Sequence, residues 1–250
     1  MDASADLFKF KWSRPETSEF PKIWKTFFAP DIRSKELVEY RIQDLPESRF
    51  EDAIKHMAAN YLKDEPMTFA LNGSNDEQHR ADYTLGWRSV LAQKTVLVCF
   101  KAGSDEIVGV NFNFVNSQED NFFKNFVDRC VSNITKTVFD VISLMYRSFD
   151  PFKHYGVNNY LGSLGLSVDR KYRGRGVGVQ LLDARKAFCK EFCLSLTHTI
   201  FSSNFSNKNA DKVGFKTDVA LSFQEVLKTH PDWPISQTLS KELTVKSLLI

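Results

Sequence analysis

No stretch of this chain is apolar for long enough to span a bilayer. The longest run, Thr95–Phe100, has six residues, against about twenty for a transmembrane helix. Met1–Pro15 scatters Asp2, Asp6 and lysines and lacks the apolar core of a secretory signal. Cysteine is sparse: Cys99, Cys130, Cys189 and Cys193 show no metal-ligand spacing. Cys189 and Cys193 are expected to share one helix face as buried free thiols. His56, His79, His154, His198 and His230 form no paired ligand spacing either, so no metal is expected. Excess charge is also missing. The 33 basic and 31 acidic side chains leave a formal +2, too little for a dedicated nucleic-acid binder. These absences point to a cytoplasmic, reduced protein that engages neither nucleic acid nor membrane.

With 250 residues, 42% of them hydrophobic, the chain can bury a real core. Residues 1–35, which hold Pro15, Pro21 and Pro30, read as an irregular arm with short helical turns packing on a domain over 36–250. Leu37–Ile42 alternates as a first strand. Phe50, Ile54, Met57, Ala58 and Leu62 recur at helical spacing after Pro46, and Pro66 then forces Glu65 into extended backbone. "SNDEQHRADYTLGWRSVLAQ" opens on a capping cluster and reads as a second helix. Thr95–Lys101 and Ile107–Phe114 form a hairpin around "AGSDE". Residues 116–150 read as helices with Val131, Ile134, Val138, Val141, Ile142 and Met145 in one stripe. A strand (Tyr160–Val168), a helix (Gly176–Cys193), a strand (Leu196–Phe201) and a short helix near Asn207–Val213 follow. Strands near Val219–Phe223 and Leu243–Leu249 finish the chain. The order predicts one α/β (α+β) domain with a mixed central sheet of about seven strands flanked by helices.

Six of the eleven glycines lie between Gly156 and Gly178. Three of them, Gly174, Gly176 and Gly178, alternate in a basic loop between a strand and a helix. Glycine permits close backbone approach, successive N–H groups make an anion nest, and a helix start adds free donors and a positive dipole end. Arg170, Lys171, Arg173 and Arg175 reinforce the sign, so the expected ligand carries phosphate. A Walker loop would need Lys-Ser/Thr after its last glycine, and a dinucleotide fingerprint would need glycine where Val179 stands. A tight turn without a ligand is the bland alternative.

The segment Arg173-Gly174-Arg175-Gly176-Val177-Gly178, preceded by "LGLSVDRKY", resembles the acetyl-CoA motif of the GNAT acetyltransferase superfamily. The resemblance implies the GNAT fold, with the sheet splayed at the acetyl-CoA site. It implies that the Leu166 and Val168 backbone holds pantetheine and that amides from Arg173 through Gly174, Arg175, Gly176 and Val177 to Gly178 hold pyrophosphate. Ser203, Asn207 and Lys212, around "NADKVGF", would flank the far side of the acetyl-CoA arm. "NYLKDEPM" and "FSSNFS" are similar to signatures of insect-type arylalkylamine N-acetyltransferases. On that resemblance Glu65 is the general base and Ser202 and Ser206 belong to the catalytic site, although Ser206 is equally a natural helix cap. The implied function is transfer of acetyl to a small primary amine of the dopamine, serotonin or tryptamine type, by direct attack in a ternary complex. A Val168 amide would stabilise the thioester oxygen.

Tyr83, Met145 and Tyr146, with Trp87 and Phe114, are candidates for the amine pocket, although each reads more readily as core. His198 could relay a proton or be a core histidine. Ser240-Lys241-Glu242 stands where a histidine is expected ahead of the final strand. Agmatine, polyamine or histamine acylation, a peptide acetyltransferase and a non-catalytic CoA-binding module are the alternatives. The expected working form is a monomer.

Overall fold

The computed structural model describes Phe8, residues 10–235 and residues 240–250. Residues 1–7 and 9 of the expected arm, and residues 236–239 of the tail, lie outside the described residues. Eight strands form one sheet in the order β1-β2-β3-β4-β5-β6-β8-β7. They are β1 (Ile23–Pro30), β2 (Leu37–Asp44), β3 (Leu97–Lys101), β4 (Ile107–Ser117), β5 (Asn159–Val168), β6 (Leu196–Phe201), β7 (Lys216–Ser222) and β8 (Glu242–Leu249). The helices are α1 (Phe50–Asp64), α2 (Pro66–Ala70), α3 (Glu77–Leu91), α4 (Phe122–Val127), α5 (Asn133–Ser148) and α6 (Pro151–Tyr155). After β5 come α7 (Val177–Glu191), α8 (Asn204–Val213) and α9 (Phe223–Thr229). Every pairing is antiparallel except β5 with β6.

Alternation along the strands builds two cores. Val98, Phe100, Val110 and Phe112 face α1, α3 and α5, whereas Leu97, Cys99, Val108 and Leu161 face α7. α7 therefore crosses the opposite face of the sheet from the helices that precede it. A third, smaller cluster joins Leu182 to Phe201, Ala210 and Phe215 beneath α8.

Three expectations need correction. The arm expected to be irregular supplies an edge strand, β1, which raises the strand count to eight. Its exposed Ile23 and Phe28 and terminal Pro30 hid the alternation. Val131 leaves the predicted stripe: it is exposed and precedes α5, which starts only after the Ser132 cap. Cys193 is exposed, because α7 stops at Glu191 and Cys193 takes a left-handed turn, while Cys189 is buried. Among the described residues no helix is long and apolar enough to cross a membrane.

The arm packs Phe8, Phe10 and Trp12 on the two cores and is fastened by a buried ion pair as well. Arg14 Nη2 donates to Asp44 Oδ2 at 2.8 Å, with side-chain exposures of 4% and 0%. Trp24 Nε1 donates to Asp44 Oδ1 at 2.7 Å and the Lys22 amide to Oδ2 at 2.9 Å. Removing one partner would leave a buried guanidinium without a counter-charge. Asp44→Ala is therefore expected to lower the unfolding free energy by about 3–5 kcal/mol in a urea titration. A loss below about 1 kcal/mol, the size of a surface pair, would show that this bolt is dispensable.

Candidate active site

β5 and β6 share a single ladder pair, Leu161 with Thr197. Beyond it the strands separate towards their C-terminal ends, and a cavity of about 550 Å³ opens in the gap. The separation has a local cause. Asn111 pairs with Leu166 and Asn113 with Ser163, so Leu164 and Gly165 together oppose Phe112 in a β-bulge that bends β5. Gly165 sits at φ +123°, and a Cβ there would come within 2.9 Å of the Tyr61 ring and the Met57 methyl. Only glycine fits this position. The bulge carbonyls are held from behind, Leu164 O by Trp87 Nε1 at 3.1 Å and Gly165 O by Asn111 Nδ2 at 3.1 Å.

The outer end of the cavity is the glycine loop. Gly176 is the cap of α7 in left-handed geometry, φ 78°, and a Cβ there would meet no atom within 4 Å. The first amides of a fifteen-residue helix thus open onto the cavity without intrahelical acceptors. The basic side chains act differently from the sequence expectation. Arg170 and Arg173 both pair with Asp64, Lys171 pairs with Glu106, and Arg175 donates to Pro30 O, Lys171 O and Arg173 O. Backbone donors, not free guanidinium groups, are what the loop presents to an anion.

Glu65 stands at the inner end. It is the extended residue between α1 and α2, ψ 121°, with Pro66 fixing the next helix start. Its side chain caps α2: Oε2 accepts from the Thr68 amide at 2.7 Å. Oε1 is buried and meets no protein donor, and Glu65 lines the cavity at 4% exposure. Asn111 also lines it, with a buried Oδ1 that meets no protein donor. The cap is braced further out. Thr68 Oγ1 pairs with His79 Nε2 at 3.2 Å, and His79 Nδ1 with Thr135 Oγ1 at 2.9 Å. Burial lowers the His79 pKa to about 4, so the ring is neutral at pH 7.

The structure brings together Glu65, Tyr83, Tyr146, Leu166, Val168, Arg173, Gly174, Gly176, Val177, Gly178, Ser202, Ser203, Ser206 and Lys212 around this one cavity. Ser203 and Ser206 form a reciprocal cap of α8, each hydroxyl accepting from the other's amide, at 3.0 and 3.3 Å. Ser202 takes no part in that cap. Met145, Asn207 and Arg175 do not line the cavity. Met145 is core at 1% exposure. Asn207 braces α8, its amide donating to Phe201 O and Ser203 O while Thr244 donates to its Oδ1. Trp87 and Phe114 are core as well. His198 is buried off the cavity against Ser247 Oγ at 2.8 Å, and desolvation drops its pKa to about 3.

Sequence reasoning missed Asn111, Ser163, Tyr61, Phe123, Phe139 and Arg185, all of which line the cavity. Most read as ordinary strand or core residues. Arg185 carried a visible signal, a cation on the apolar α7 stripe of Leu181, Leu182, Phe188 and Cys189. Among the described residues no group of three or more His, Cys, Asp or Glu is placed to hold a metal ion.

A mixed sheet parted at one parallel pair, with a glycine loop and helix start at the mouth of the opening, is the architecture of the GNAT acetyltransferases. Solved structures agree. A yellow fever mosquito (Aedes aegypti) protein assigned as insect arylalkylamine N-acetyltransferase 7 is 37% identical, covering 96% of this chain and 99% of that one, TM-score 0.89. The chain belongs to the insect arylalkylamine N-acetyltransferase-like members of the GNAT superfamily. Two further structures share the fold: Aedes aegypti arylalkylamine N-acetyltransferase 2 (18% identity, 84% and 99% coverage, TM-score 0.77) and a Drosophila melanogaster polyamine N-acetyltransferase (15%, 84% and 100%, 0.71). No family model and no curated protein matches the chain.

The neutral histidine behind Glu65 makes stability pH-dependent. Its folded pKa is depressed from 6.5 to about 4, so its contribution is complete above pH 6.5 and is lost as pH falls towards 4. The shift corresponds to about 3 kcal/mol. Unfolding free energies at pH 7 and pH 4.5 should differ less in His79→Gln than in the parent protein. An equal drop in both would mean that the buried ring does not control this limb.

Proposed function

We propose that the chain is an acyl-CoA-dependent amine N-acetyltransferase acting on small primary arylalkylamines. The single observation that carries this reading is Glu65 Oε1, a buried carboxylate oxygen without a protein donor, in the cavity that opens at the glycine loop. An alkylamine resembles the lysine ammonium, with a pKa near 10 (~10.4), and cannot attack a thioester until it loses a proton. Glu65 Oε1 accepts that proton while Oε2 stays fixed by the Thr68 amide, and Asn111 Oδ1 offers a second acceptor to the ammonium.

The acetyl-CoA diphosphate rests on the amides at the start of α7, and the pantetheine arm pairs with the β5 backbone from Val168 to Leu166 that β6 leaves open. As the amine nitrogen bonds the carbonyl carbon, charge gathers on the thioester oxygen, and a β5 amide at Val168 receives it. The C–S bond then breaks, the nitrogen's second proton passes to the leaving sulfur, and CoA departs as the thiol. Direct attack is favoured over an acyl-enzyme. None of the four cysteines lines the cavity, and burial pushes the Cys99, Cys130 and Cys189 thiols up to about 12. Ser202 lies closest in role to a hydroxyl that assists; Ser203 and Ser206 have the cap to maintain.

The inner wall supports an aromatic acceptor. Tyr61, Tyr83, Phe123, Phe139 and Tyr146 line it, and burial raises the pKa of all three tyrosines, which remain neutral phenols. The acids in the lining are Asp64 and Glu65. Asp64 is paired to Arg170 and Arg173, so a diamine would find no second carboxylate for its far end.

An amine panel with acetyl-CoA, read by thiol release, tests this directly. Tryptamine, serotonin and dopamine should turn over at least tenfold better than agmatine or spermidine. The opposite order would assign a cationic acceptor, and no turnover with any amine would retire the enzyme reading. Glu65→Gln, which keeps the α2 cap acceptor, should lower kcat by roughly 10²–10⁴-fold and remove the acidic limb of the pH profile. Near-normal turnover would retire Glu65 as base. Gly176→Val should strain the left-handed cap by about 1–2 kcal/mol and weaken CoA binding at least tenfold in calorimetry. Unchanged CoA affinity would move the diphosphate site elsewhere.

A further inference from the structure

The cavity at the β5–β6 gap is bordered by a second one, of about 440 Å³, between α4 and α5. The partition between them is a single layer of side chains: Phe123, Phe139, Ile142 and Tyr146 line both cavities. On α5 the shared residues stand at i, i+3 and i+7, one ridge about 10 Å long. Val138 lies on the Glu65 side of that ridge, and Asp140, Ser143 and Arg147 lie on the other.

The partition is movable while its frame is fixed. Phe139 is buried, but Phe123, Ile142 and Tyr146 are only half-buried. A side chain with open space on both faces lacks the close packing that locks a rotamer. The Phe123 and Tyr146 rings meet at 4.9 Å between centroids. Around them α4 is pinned: Phe122 and Phe126 are core, and Phe122 packs on Phe8 at 5.5 Å and on Phe10 at 5.3 Å in the arm. Rotation of the Phe123 ring therefore needs no movement of α4.

Two requirements of the reaction meet this arrangement. The cavity of about 550 Å³ has the size that takes one drug-sized ligand, and its glycine-loop end is taken by the donor. An acceptor that follows the donor needs a different way in. It also arrives charged, as an ammonium with a pKa of about 10. The second cavity answers both. Phe123, Val127 and Phe139 give it apolar walls, and Asp140 on its lining is exposed and forms no ion pair among the described residues. Its other charges are engaged. Lys124 pairs with Asp128 at 2.6 Å, Arg147 donates to Ser143 Oγ at 2.8 Å, and Asp120 accepts from the Lys11 and Ser117 amides.

We propose that the second cavity is a docking site for the protonated amine on its way to Glu65, and that Phe123 and Tyr146 form the door between the two. This rests on the amine N-acetyltransferase reading above. The aromatic group lies on the Phe123 and Phe139 rings, with the ammonium at Asp140. Passage through the partition delivers the cation to Glu65 Oε1, where the proton is lost. No bond is made or broken in the outer chamber, and the donor stays seated throughout.

Ser143→Trp fills the second cavity from a position outside the first. With acetyl-CoA saturating, it should lower kcat/KM for tryptamine roughly tenfold or more. CoA affinity in calorimetry should stay at the parent value, and Ser143→Ala should behave as the parent. Asp140→Lys reverses the charge at the rim. It should lower kcat/KM about threefold at low salt, a deficit that fades towards about 1 M NaCl as the charge is screened. Parent-level kcat/KM, or an equal loss of CoA affinity, in folded Ser143→Trp overturns the inference. So does an absent or salt-independent effect of Asp140→Lys, which decides the matter if Ser143→Trp fails to fold. Absence of turnover by the parent protein with any amine defeats the acetyltransferase reading instead, so the two failures are distinguishable.

Discussion

One ladder pair, Leu161 with Thr197, holds the two halves of the sheet together, and the site exists because it is the last. Were β6 to continue alongside β5, the backbone from Leu164 to Val168 would be consumed by pairing and no cavity would open. The bulge at Leu164–Gly165 bends β5 away from the ladder direction. Glycine at 165 lets Tyr61 and Met57 close over the bend, and Trp87 and Asn111 take up the carbonyls that the irregularity would otherwise strand. An interruption of a buried sheet normally costs unsatisfied backbone groups. Here side chains from α3 and β4 absorb that cost on one side, leaving the other side open to a ligand.

The carboxylate is held by a second economy. Burying Glu65 is unfavourable on its own, yet one oxygen replaces a missing intrahelical acceptor at the start of α2. The Thr68–His79–Thr135 chain then ties that cap to α3 and α5. Because α5 also supplies Phe139, Ile142 and Tyr146 to the cavity wall, the acid and the wall facing it share one support. On the other flank, Asp64, the neighbour of Glu65, grips Arg170 and Arg173 of the loop. The turn bearing the acid is therefore referenced to both ends of the cavity.

What the sequence disclosed follows from what is local. The glycine loop announces itself because a left-handed cap and a helix start depend on adjacent residues. Pro66 fixes Glu65 by acting on its immediate neighbour. β5, α7 and β6 were legible for the same reason: each is a strongly patterned segment between clear breakers. Asn111, Ser163 and Arg185 became site residues only through strand register and the crossing of α7, which no spacing encodes. β1 escaped because an edge strand can expose Phe28 and Ile23 and end in proline. The basic residues of the loop misled in one respect, since their partners Asp64, Glu106 and Pro30 lie far away in the chain.

The Arg175 side chain, turned from the cavity to the carbonyls of Pro30, Lys171 and Arg173, has a thermodynamic consequence. It fastens the turn to the rim of the sheet, with Lys171 anchored to Glu106 alongside. A turn already frozen by the fold has little configurational freedom left to surrender when a ligand docks, so the ordering part of the binding cost is small. A substitution at this outward-facing guanidinium, which lies off the cavity wall, would thus be felt as a softer grip, with little altered in shape.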